Sequence, residues 1–253
     1  VPEAPAALRV TGRPALTRLP LFENGWFELQ DAGSQAIAEC GAARRGERVI
    51  DFCAGAGGKT LALAARMRNQ GQVLAFDTDE ARLSRLGPRL KRAGVDIVTQ
   101  MRLKDSTDAR LARYQGWADL VLVDAPCSGS GTLRRHPDLK WRLQPQEVAH
   151  YRQLQRQIMA AAARLLRPGG RLVYATCSLL ADENEAQMAW LAHRAGGALA
   201  AGGAAGAAGA AGAAGAAGAA ERAVDPTGSG GAVGAGGVQA ADPAWPAVSL
   251  QPV

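Results

Sequence analysis

The amino-acid sequence predicts an α/β fold, in which a mostly parallel sheet carries helices on both faces. The main observation is that short apolar segments alternate with helix-like segments from about residue 47 to residue 195, with brief turns between them. A second observation is that apolar and polar residues do not alternate along these apolar segments. This pattern is typical of strands that are buried on both faces of a parallel sheet.

Five strands are predicted, and each ends in a polar turn: residues 47–52, 72–79, 96–103, 118–126 and 171–178. Four helices lie between or after them: residues 59–67, 80–94, 150–170 and 182–197. The second helix is basic and amphipathic, with Pro88 in its middle, and the third is expected to stop at Pro168 and the glycines after it. Upstream, residues 19–41 predict a short hairpin that leads into a helix packed on the main domain.

We divide the chain into three parts. Residues 1–46 form a segment that packs on the main domain, residues 47–195 form the main domain itself, and residues 196–253 form a tail. The tail contains a period-three tract of alanine and glycine without large side chains. Such a tract cannot bury enough apolar surface to offset the entropy of ordering, so we expect the tail to be mostly disordered.

Composition narrows the class of protein. The formal net charge is +6 at pH 7, and the residues after 195 are net acidic, so the positive charge lies in the body, where it favours a polyanionic partner. The four cysteines lie far apart and only three histidines are present, which argues against a metal site or a disulfide framework. No apolar run approaches the roughly 20 residues of a membrane span. We expect a cytoplasmic monomer with free thiols and no membrane contact.

A glycine-rich turn follows the first predicted strand. Such a turn lets the backbone approach a ligand closely while the N–H groups of the following helix point outward. Its spacing matches neither a dinucleotide fingerprint nor a phosphate loop, so phosphate binding is not favoured. The turn indicates a nucleotide-type ligand site and consists of Cys53, Ala54, Gly55, Ala56, Gly57, Gly58 and Lys59.

Acidic residues end four successive strands: Asp51, Asp77, Asp105 and Asp124. For any one of them, a helix cap or a solvated turn is the simpler interpretation. Because parallel sheets bind ligands at the carboxyl ends of their strands, four such acids together indicate a ligand rich in hydroxyls, amines or positive charge. S-adenosylmethionine fits that description.

Two cysteines, Cys127 and Cys177, each follow a strand and each precede a serine. A thiol with an ordinary pKa is only a few per cent ionised at neutral pH, so a catalytic cysteine needs nearby positive charge or hydrogen-bond donors. Cys40 is interpreted as structural. The chemistry of the residues alone leaves open which of the other two is a nucleophile.

Four segments of the domain read DFCAGAGGKT, AFDTDEARLSRL, VDAPCSGSGTLRRHPDLKW and LVYATCSLLADENE, and the segment LPLFENGWFELQDAGSQ precedes them. Together they cover about residues 19–195 and resemble the Sun/NSUN/RsmB family of S-adenosylmethionine-dependent RNA cytosine-5 methyltransferases. The sequence is most similar to the bacterial RsmB type, which acts on small-subunit ribosomal RNA. The resemblance implies a Rossmann-like class I methyltransferase fold with S-adenosylmethionine as cofactor.

The resemblance also assigns roles. The cysteine of the family's Thr-Cys motif is the nucleophile that attacks carbon 6 of cytosine, which corresponds to Cys177, and the Pro-Cys cysteine, here Cys127, assists release of the product. DNA cytosine-5 methyltransferases use their Pro-Cys cysteine instead. By the same resemblance, Asp124 holds the ring-nitrogen side of the cytosine and the edge of the cofactor. Residues 53–59 form the cofactor loop, Asp77 contacts the ribose, and Asp105 contacts the adenine.

A basic run follows the Pro-Cys turn. Cations beside an aromatic ring suit phosphate contact and base stacking, and a reacting base must leave its stack to reach a buried thiol. A solvated basic loop is the alternative interpretation of each side chain. The residues that we expect to bind RNA are Arg134, Arg135, His136, Lys140 and Trp141.

The sequence departs from the family pattern in two places. The family's final β-hairpin with its Phe-Phe segment has no counterpart after Ala195, and the RNA-binding domain that precedes the RsmB-type catalytic domain has no counterpart within these 253 residues. Two alternatives therefore remain beside a ribosomal RNA methyltransferase. One is a transfer RNA or DNA cytosine-5 methyltransferase, and the other is a non-catalytic RNA-binding assembly factor.

Overall fold

The structure, a computed structural model, describes residues 6–194, 200–201 and 248–250. Its strands form one sheet in which every pairing is parallel, in the order β3-β2-β1-β4-β5-β7-β6. The strands are β1 (Arg48–Asp51), β2 (Gln72–Asp77), β3 (Val98–Arg102), β4 (Ala118–Asp124), β5 (Leu166–Ala175), β6 (Ala200–Ala201) and β7 (Val248–Leu250). The strand order reverses between β1 and β4, and such a switch point is where open α/β sheets bind ligands.

The α-helices of the described residues are α1 (Pro20–Glu23), α2 (Ala32–Cys40), α3 (Gly58–Arg66), α4 (Glu80–Leu83), α5 (Leu86–Ala93), α6 (Leu139–Arg142), α7 (Pro145–Leu165) and α8 (Glu185–Arg194). Short 3-10 helices cover Leu16–Arg18, Ala109–Tyr114, Ser130–Thr132 and Ala181–Glu183. No helix in this part of the chain is both long and apolar enough to cross a membrane.

Both faces of the sheet are buried, as the apolar segments predicted. On β4, Val121 and Val123 pack into one core with Met159 of α7, while Leu120 and Leu122 pack into the opposite core with the residues of α2 and α3. Because neighbouring strand residues point to opposite faces, a strand covered on both sides has to be apolar throughout. The predicted α/β class with a parallel sheet is confirmed.

The predicted positions of two prolines relative to their helices were wrong. Pro88 lies in the first turn of α5, where a missing N–H group removes no intrahelical bond, and the helical segment breaks before it, between Leu83 and Leu86. The long helix α7 ends at Leu165, three residues before Pro168. Pro168 instead belongs to β5, at a shift of register against β4, and an irregularity of this kind tolerates proline in a strand.

The predicted hairpin in residues 19–41 is also wrong. Pro20 opens α1, and Gly25 takes a left-handed conformation at φ +76° after the helix. The N–H of Trp26 donates to the carbonyl of Leu21 at 2.9 Å, so the Asn24-Gly25 pair ends a helix where a hairpin would have needed it as a turn. The chain then runs on to α2, which packs against α3 and the sheet.

The segment between α1 and α2 docks on α5. Glu28 pairs with Arg92 and, at 3.1 Å, with Arg89, while the Arg92 guanidinium lies 4.1 Å from the centre of the Phe22 ring. A Cβ at Gly25 would lie 1.9 Å from the carbonyl oxygen of Arg92. This part of the upstream segment is therefore packed against α5.

The expected disorder of residues 196–253 falls mainly outside the described residues. Two short strands of that region are described, and β7 pairs with β5 from Gly170↔Val248 to Leu172↔Leu250. Strand β6 pairs with β7 in parallel, so the two do not form a hairpin with each other.

The docking of the upstream segment predicts a stability difference between two glycines. Gly25 and Gly94 both have positive φ, but a Cβ at Gly94 would meet nothing within 4 Å. Gly94→Ala should cost about 1 kcal/mol of unfolding free energy from backbone strain alone. Gly25→Ala should cost at least twice as much in urea denaturation, because its Cβ also collides with a backbone carbonyl. Equal costs would contradict the docking.

Candidate active site at the carboxyl ends of the strands

The carboxyl ends of the central strands all lie at the same end of the sheet. They flank the point between β1 and β4 where the strand order reverses. Asp51 ends β1, Asp77 ends β2, and Asp124 ends β4. The turns after β4 and β5 carry Cys127 and Cys177. The structure thus brings the two cysteines together with three of the four strand-end acids predicted from the sequence.

The glycine turn after β1 is held to the end of β2. One oxygen of Asp77 accepts the N–H of Gly55 at 2.7 Å, and the other accepts the N–H of Asp79 at 2.8 Å. Gly55 has φ +54° and nothing within 4 Å of where its Cβ would be, so the backbone is open to a ligand there. Gly57 has φ +82°, and a Cβ there would lie 2.1 Å from a methyl group of Leu86. The glycines are therefore required both for conformation and for packing.

Two groups at the start of the turn, Cys53 and Asp51, have raised pKa values. Burial raises the pKa of the Cys53 thiol well above its usual range, with the nearby Asp51 adding to the effect, so this cysteine stays protonated. Burial also raises the pKa of Asp51 to about 7, although Thr60 donates to one of its oxygens at 2.7 Å. Its other oxygen has no hydrogen-bond partner among the described residues.

Lys59 joins the glycine turn to the end of β4. Its Nζ lies 2.7 Å from an oxygen of Asp124 and 3.3 Å from Oγ of Ser34. Since the lysine side chain is mostly buried, this pair is less screened by water than a surface ion pair. Lys59 therefore provides a fixed positive charge beside the two cysteines, and it brings the upstream segment to the edge of the site through Ser34.

The two thiols are in direct contact, with their Sγ atoms 3.3 Å apart. The hydrogen bond from Cys127 lowers the pKa of Cys177 to about 7, with help from Lys59 and against the effects of burial and of Asp124. The same hydrogen bond raises the pKa of Cys127, and burial raises it further. In this arrangement Cys127 is the hydrogen-bond donor, and Cys177 is the thiol that ionises at the lower pH. Cys177 is also the more exposed of the two thiols.

The predicted RNA-binding residues follow the Cys127 turn and are all exposed. The ammonium group of Lys140 lies 4.8 Å from the centre of the Trp141 ring, and the indole is 77% exposed. Arg135 forms an ion pair with Asp31 of the upstream segment. The run is anchored next to the site because the N–H of Gly131 donates to the carbonyl of Cys177 at 2.9 Å.

Asp105 lies apart from the thiols, beyond the end of the edge strand β3. Its carboxylate accepts both the N–H and the hydroxyl of Thr107, at 2.7 and 2.5 Å, and these bonds lower its pKa. This is the turn-forming role that the sequence left open for each acid. A contact with adenine stays a prediction.

Sequence reasoning missed the buried polar residues beneath the cysteines. Glu183 is fully buried and accepts hydrogen bonds from Ser128, Ser178 and Gln155. The signal that could have indicated this is the repetition of Cys-Ser after two strands. No group of three or more potential metal ligands occurs in the part of the chain that the structure describes.

A family model described as 16S rRNA methyltransferase RsmB/F matches residues 40–211. The chain belongs to the RsmB/F family. Ribosomal RNA small subunit methyltransferase B of Klebsiella pneumoniae is 41% identical over 193 residues, which are 74% of this chain and 43% of that protein. The chain therefore spans less than half the length of the curated relatives it matches.

Solved structures agree with the RsmB/F assignment. NSun6 from Pyrococcus horikoshii, solved with SFG, has a TM-score of 0.65 and 32% identity over 72% of this chain and 46% of its own. A methyltransferase homolog protein from the same organism has a TM-score of 0.62 and 34% identity over 72% of this chain and 56% of its own. The family resemblance and the Rossmann-like class I fold predicted from the sequence are confirmed, and S-adenosylmethionine is the cofactor of that family.

The thiol contact predicts how Cys177 reacts. Alkylation of Cys177 by iodoacetamide, followed by peptide mass spectrometry, should show a pH midpoint near 7. Cys127→Ala removes the donor that stabilises the thiolate, so the midpoint should move to higher pH. Cys40→Ala removes a thiol elsewhere and should leave the midpoint unchanged. An unaltered midpoint in Cys127→Ala would show that the thiol contact does not activate Cys177.

Proposed function

We propose that this protein methylates carbon 5 of a cytosine in RNA, with small-subunit ribosomal RNA as its substrate, through a covalent adduct with Cys177. The observation that carries the proposal is the pair of thiols 3.3 Å apart at the ends of β4 and β5. One of them is activated by the other, which is what a nucleophile and an assisting group require. Membership of the RsmB/F family supports the choice of RNA, and 41% identity to small-subunit methyltransferases supports the choice of ribosomal RNA.

The chemistry requires a thiolate because carbon 5 of cytosine is a poor nucleophile. Attack of the Cys177 sulfur on carbon 6 forms a sulfur–carbon bond and moves an electron pair to carbon 5. S-adenosylmethionine, when bound, supplies the methyl group that carbon 5 then takes up. Cys127 or a base near it takes the carbon-5 proton, the electron pair of that C–H bond re-forms the double bond between carbons 5 and 6, and Cys177 leaves as thiolate.

Asp124 and Cys127 have complementary roles in this reaction. The carboxylate of Asp124 is only partly covered, and its acceptor oxygens suit the amino group and the protonated ring nitrogen of cytosine. Lys59 holds Asp124 from the other side at 2.7 Å, which fixes the orientation of the carboxylate. Cys127, with its raised pKa, stays beside the reacting sulfur and assists the release of product.

The glycine turn and its neighbours fit a cofactor with hydroxyls and an amino-acid group. Gly55 is open on its outer side, and the helix α3 begins at Gly58 with its N–H groups directed toward the turn. Asp77 already accepts two backbone N–H groups and has further lone pairs for a ribose diol. We assign residues 53–59, Asp77 and Asp124 to the cofactor, with Asp105 at the adenine.

The thiol geometry supports an RNA enzyme over a DNA enzyme. DNA cytosine-5 methyltransferases attack with the Pro-Cys cysteine, which is Cys127 here. That thiol has the raised pKa and lies deeper, whereas Cys177 has the lowered pKa and is exposed. The intact pair of thiols likewise argues against a purely structural RNA-binding factor.

Replacing each of the two cysteines with alanine should have opposite effects on the covalent adduct with RNA. Cys177→Ala should lower methyl transfer by ~10³-fold or more and form no covalent adduct, because nothing remains to attack carbon 6. Cys127→Ala should still attack and should accumulate as a denaturant-resistant complex with RNA. Both variants are incubated with RNA and S-adenosylmethionine and separated on a denaturing gel, with Cys40→Ala as the control thiol.

The gel separates the possible outcomes. A trapped band for Cys177→Ala and none for Cys127→Ala would reverse the two roles and indicate the DNA-enzyme arrangement. Normal turnover by both variants would contradict the thiol mechanism. Bisulfite sequencing of cellular RNA with and without the gene identifies the modified cytosine.

The basic run predicts a specific effect on RNA affinity. The double variant Arg134→Ala, Arg135→Ala should bind RNA more weakly and with a salt dependence reduced by about two phosphate contacts, one per cation. The control double variant Arg44→Ala, Arg45→Ala also removes two positive charges at exposed positions ahead of β1, at the opposite end of the strands, and should have little effect. Filter binding at several salt concentrations measures both. An unchanged slope in the double variant would favour a solvated loop.

A further inference from the structure

A buried carboxylate lies beneath the two cysteine turns. Glu183 ends the 3-10 helix Ala181–Glu183 between β5 and α8, and the residue is 0% exposed. Within the described part of the chain it forms no ion pair, and four hydrogen bonds from neutral donors surround its oxygens. A buried charge without a cation is costly unless it is fully hydrogen-bonded, so these four contacts are what keep it in place.

The donors come from both cysteine turns. Oε1 of Glu183 accepts the N–H of Ser128 at 2.9 Å and the side-chain amide of Gln155 at 3.0 Å. Oε2 accepts the hydroxyl of Ser128 at 2.5 Å and the hydroxyl of Ser178 at 2.6 Å. Ser128 directly follows Cys127, and Ser178 directly follows Cys177. One carboxylate therefore binds the residue next to each thiol.

Further bonds tie the two turns to each other. The hydroxyl groups of Ser130 and Ser178 lie 3.0 Å apart, and the hydroxyl of Ser130 accepts the N–H of Leu179 at 2.8 Å. The hydroxyl of Tyr174 donates to the backbone carbonyl of Glu183 at 2.7 Å, which fixes the 3-10 turn to β5. These groups are buried or partly buried, so water competes little for the bonds.

We infer that Glu183 is a positioning residue. Through its hydrogen bonds to Ser128 and Ser178 it sets the distance between the two thiols and their orientation. This inference rests on the proposed thiol mechanism. Consecutive residues in each turn point in opposite directions, so that the cysteines face the site while the serines face Glu183. Because hydrogen bonds to a charged acceptor are stronger than neutral ones, the carboxylate holds both turns in one arrangement.

A carboxylate suits this position better than an amide. The N–H of Ser128 and the side-chain NH₂ of Gln155 can only donate, so Oε1 must be an acceptor. A glutamine at this position would have to turn its NH₂ group towards the two serine hydroxyls, which would then have to accept. Glu183→Gln should therefore keep the fold but weaken the hydrogen bonds to the hydroxyl groups of Ser128 and Ser178.

The groups that face the Cys177 sulfur are Cys127, Asp124 and Lys59, and Glu183 does not contact it. Any effect of residue 183 on the reactivity of Cys177 must therefore pass through the positions of the turns. Loss of the thiol contact would leave Cys177 without its main stabilising donor. The pH dependence of Cys177 alkylation consequently reports on the positioning role.

The experiment compares Glu183→Gln and Glu183→Leu with the control Gln187→Leu. Gln187 is also fully buried, one turn further along, and its side chain bonds to Asp182 and Arg156 without contacting either cysteine turn. For each folded variant we would measure kcat and KM with RNA, affinity for S-adenosylmethionine, and the pH midpoint of Cys177 alkylation without RNA or cofactor.

Glu183→Gln should lower kcat by roughly 10- to 100-fold, with KM and cofactor affinity within about twofold of wild type. Its alkylation midpoint should move to higher pH, and Glu183→Leu should show a larger change of the same kind if it folds. Gln187→Leu should lower stability but leave the midpoint unchanged. A wild-type midpoint and kcat in Glu183→Gln would overturn the inference, as would an equal shift in Gln187→Leu.

Failure of the proposed function would look different. If the wild-type protein did not modify carbon 5 of cytosine, the kinetic part would fail for every variant, whereas the alkylation part needs no substrate. A shifted midpoint in Glu183→Gln would then still support the positioning role, and an unshifted one would refute it.

Discussion

The register between β4 and β5 is the constraint on which the site depends. Asp124 lies opposite Ala175, and the N–H of Ala125 continues the pairing by donating to the carbonyl of Ala175 at 2.9 Å. The two turns therefore start side by side, which brings thiols 50 positions apart in the chain to 3.3 Å. A slip of one residue would turn every side chain of one strand to the opposite face and separate the thiols.

Two features maintain that register. Deep in the sheet, both strands are held between apolar cores on each face, and the shift of register near Pro168 lies at the far end of the strand pair. At the carboxyl end of the two strands, Glu183 forms hydrogen bonds to both turns beyond the last paired residues, Asp124 and Ala175. The site thus has a fixed base, while the surface above it, where Trp141 is exposed, is available to a large substrate.

The upstream segment belongs to the site as much as to the fold. Ser34 contacts Lys59, Asp31 pairs with Arg135, and Glu28 pairs with Arg89, which in turn donates to the carbonyl of Ala56 at 2.5 Å. Through these contacts the segment touches both the glycine turn and the basic run. This arrangement makes the position of the glycine turn sensitive to the packing of α1 and α2.

The sequence by itself determined the parallel sheet, the glycine turn, the strand-end acids and the two cysteines. Each of these follows from a local pattern, since strand periodicity, glycine spacing and strand ends involve neighbouring residues. Tertiary structure decided the rest. The path of residues 19–41, the place of Pro168 in β5 and the role of Glu183 depend on partners far away in the chain. So does the lowered pKa of Cys177, because its main cause is the hydrogen bond from Cys127, a residue that only folding brings to it.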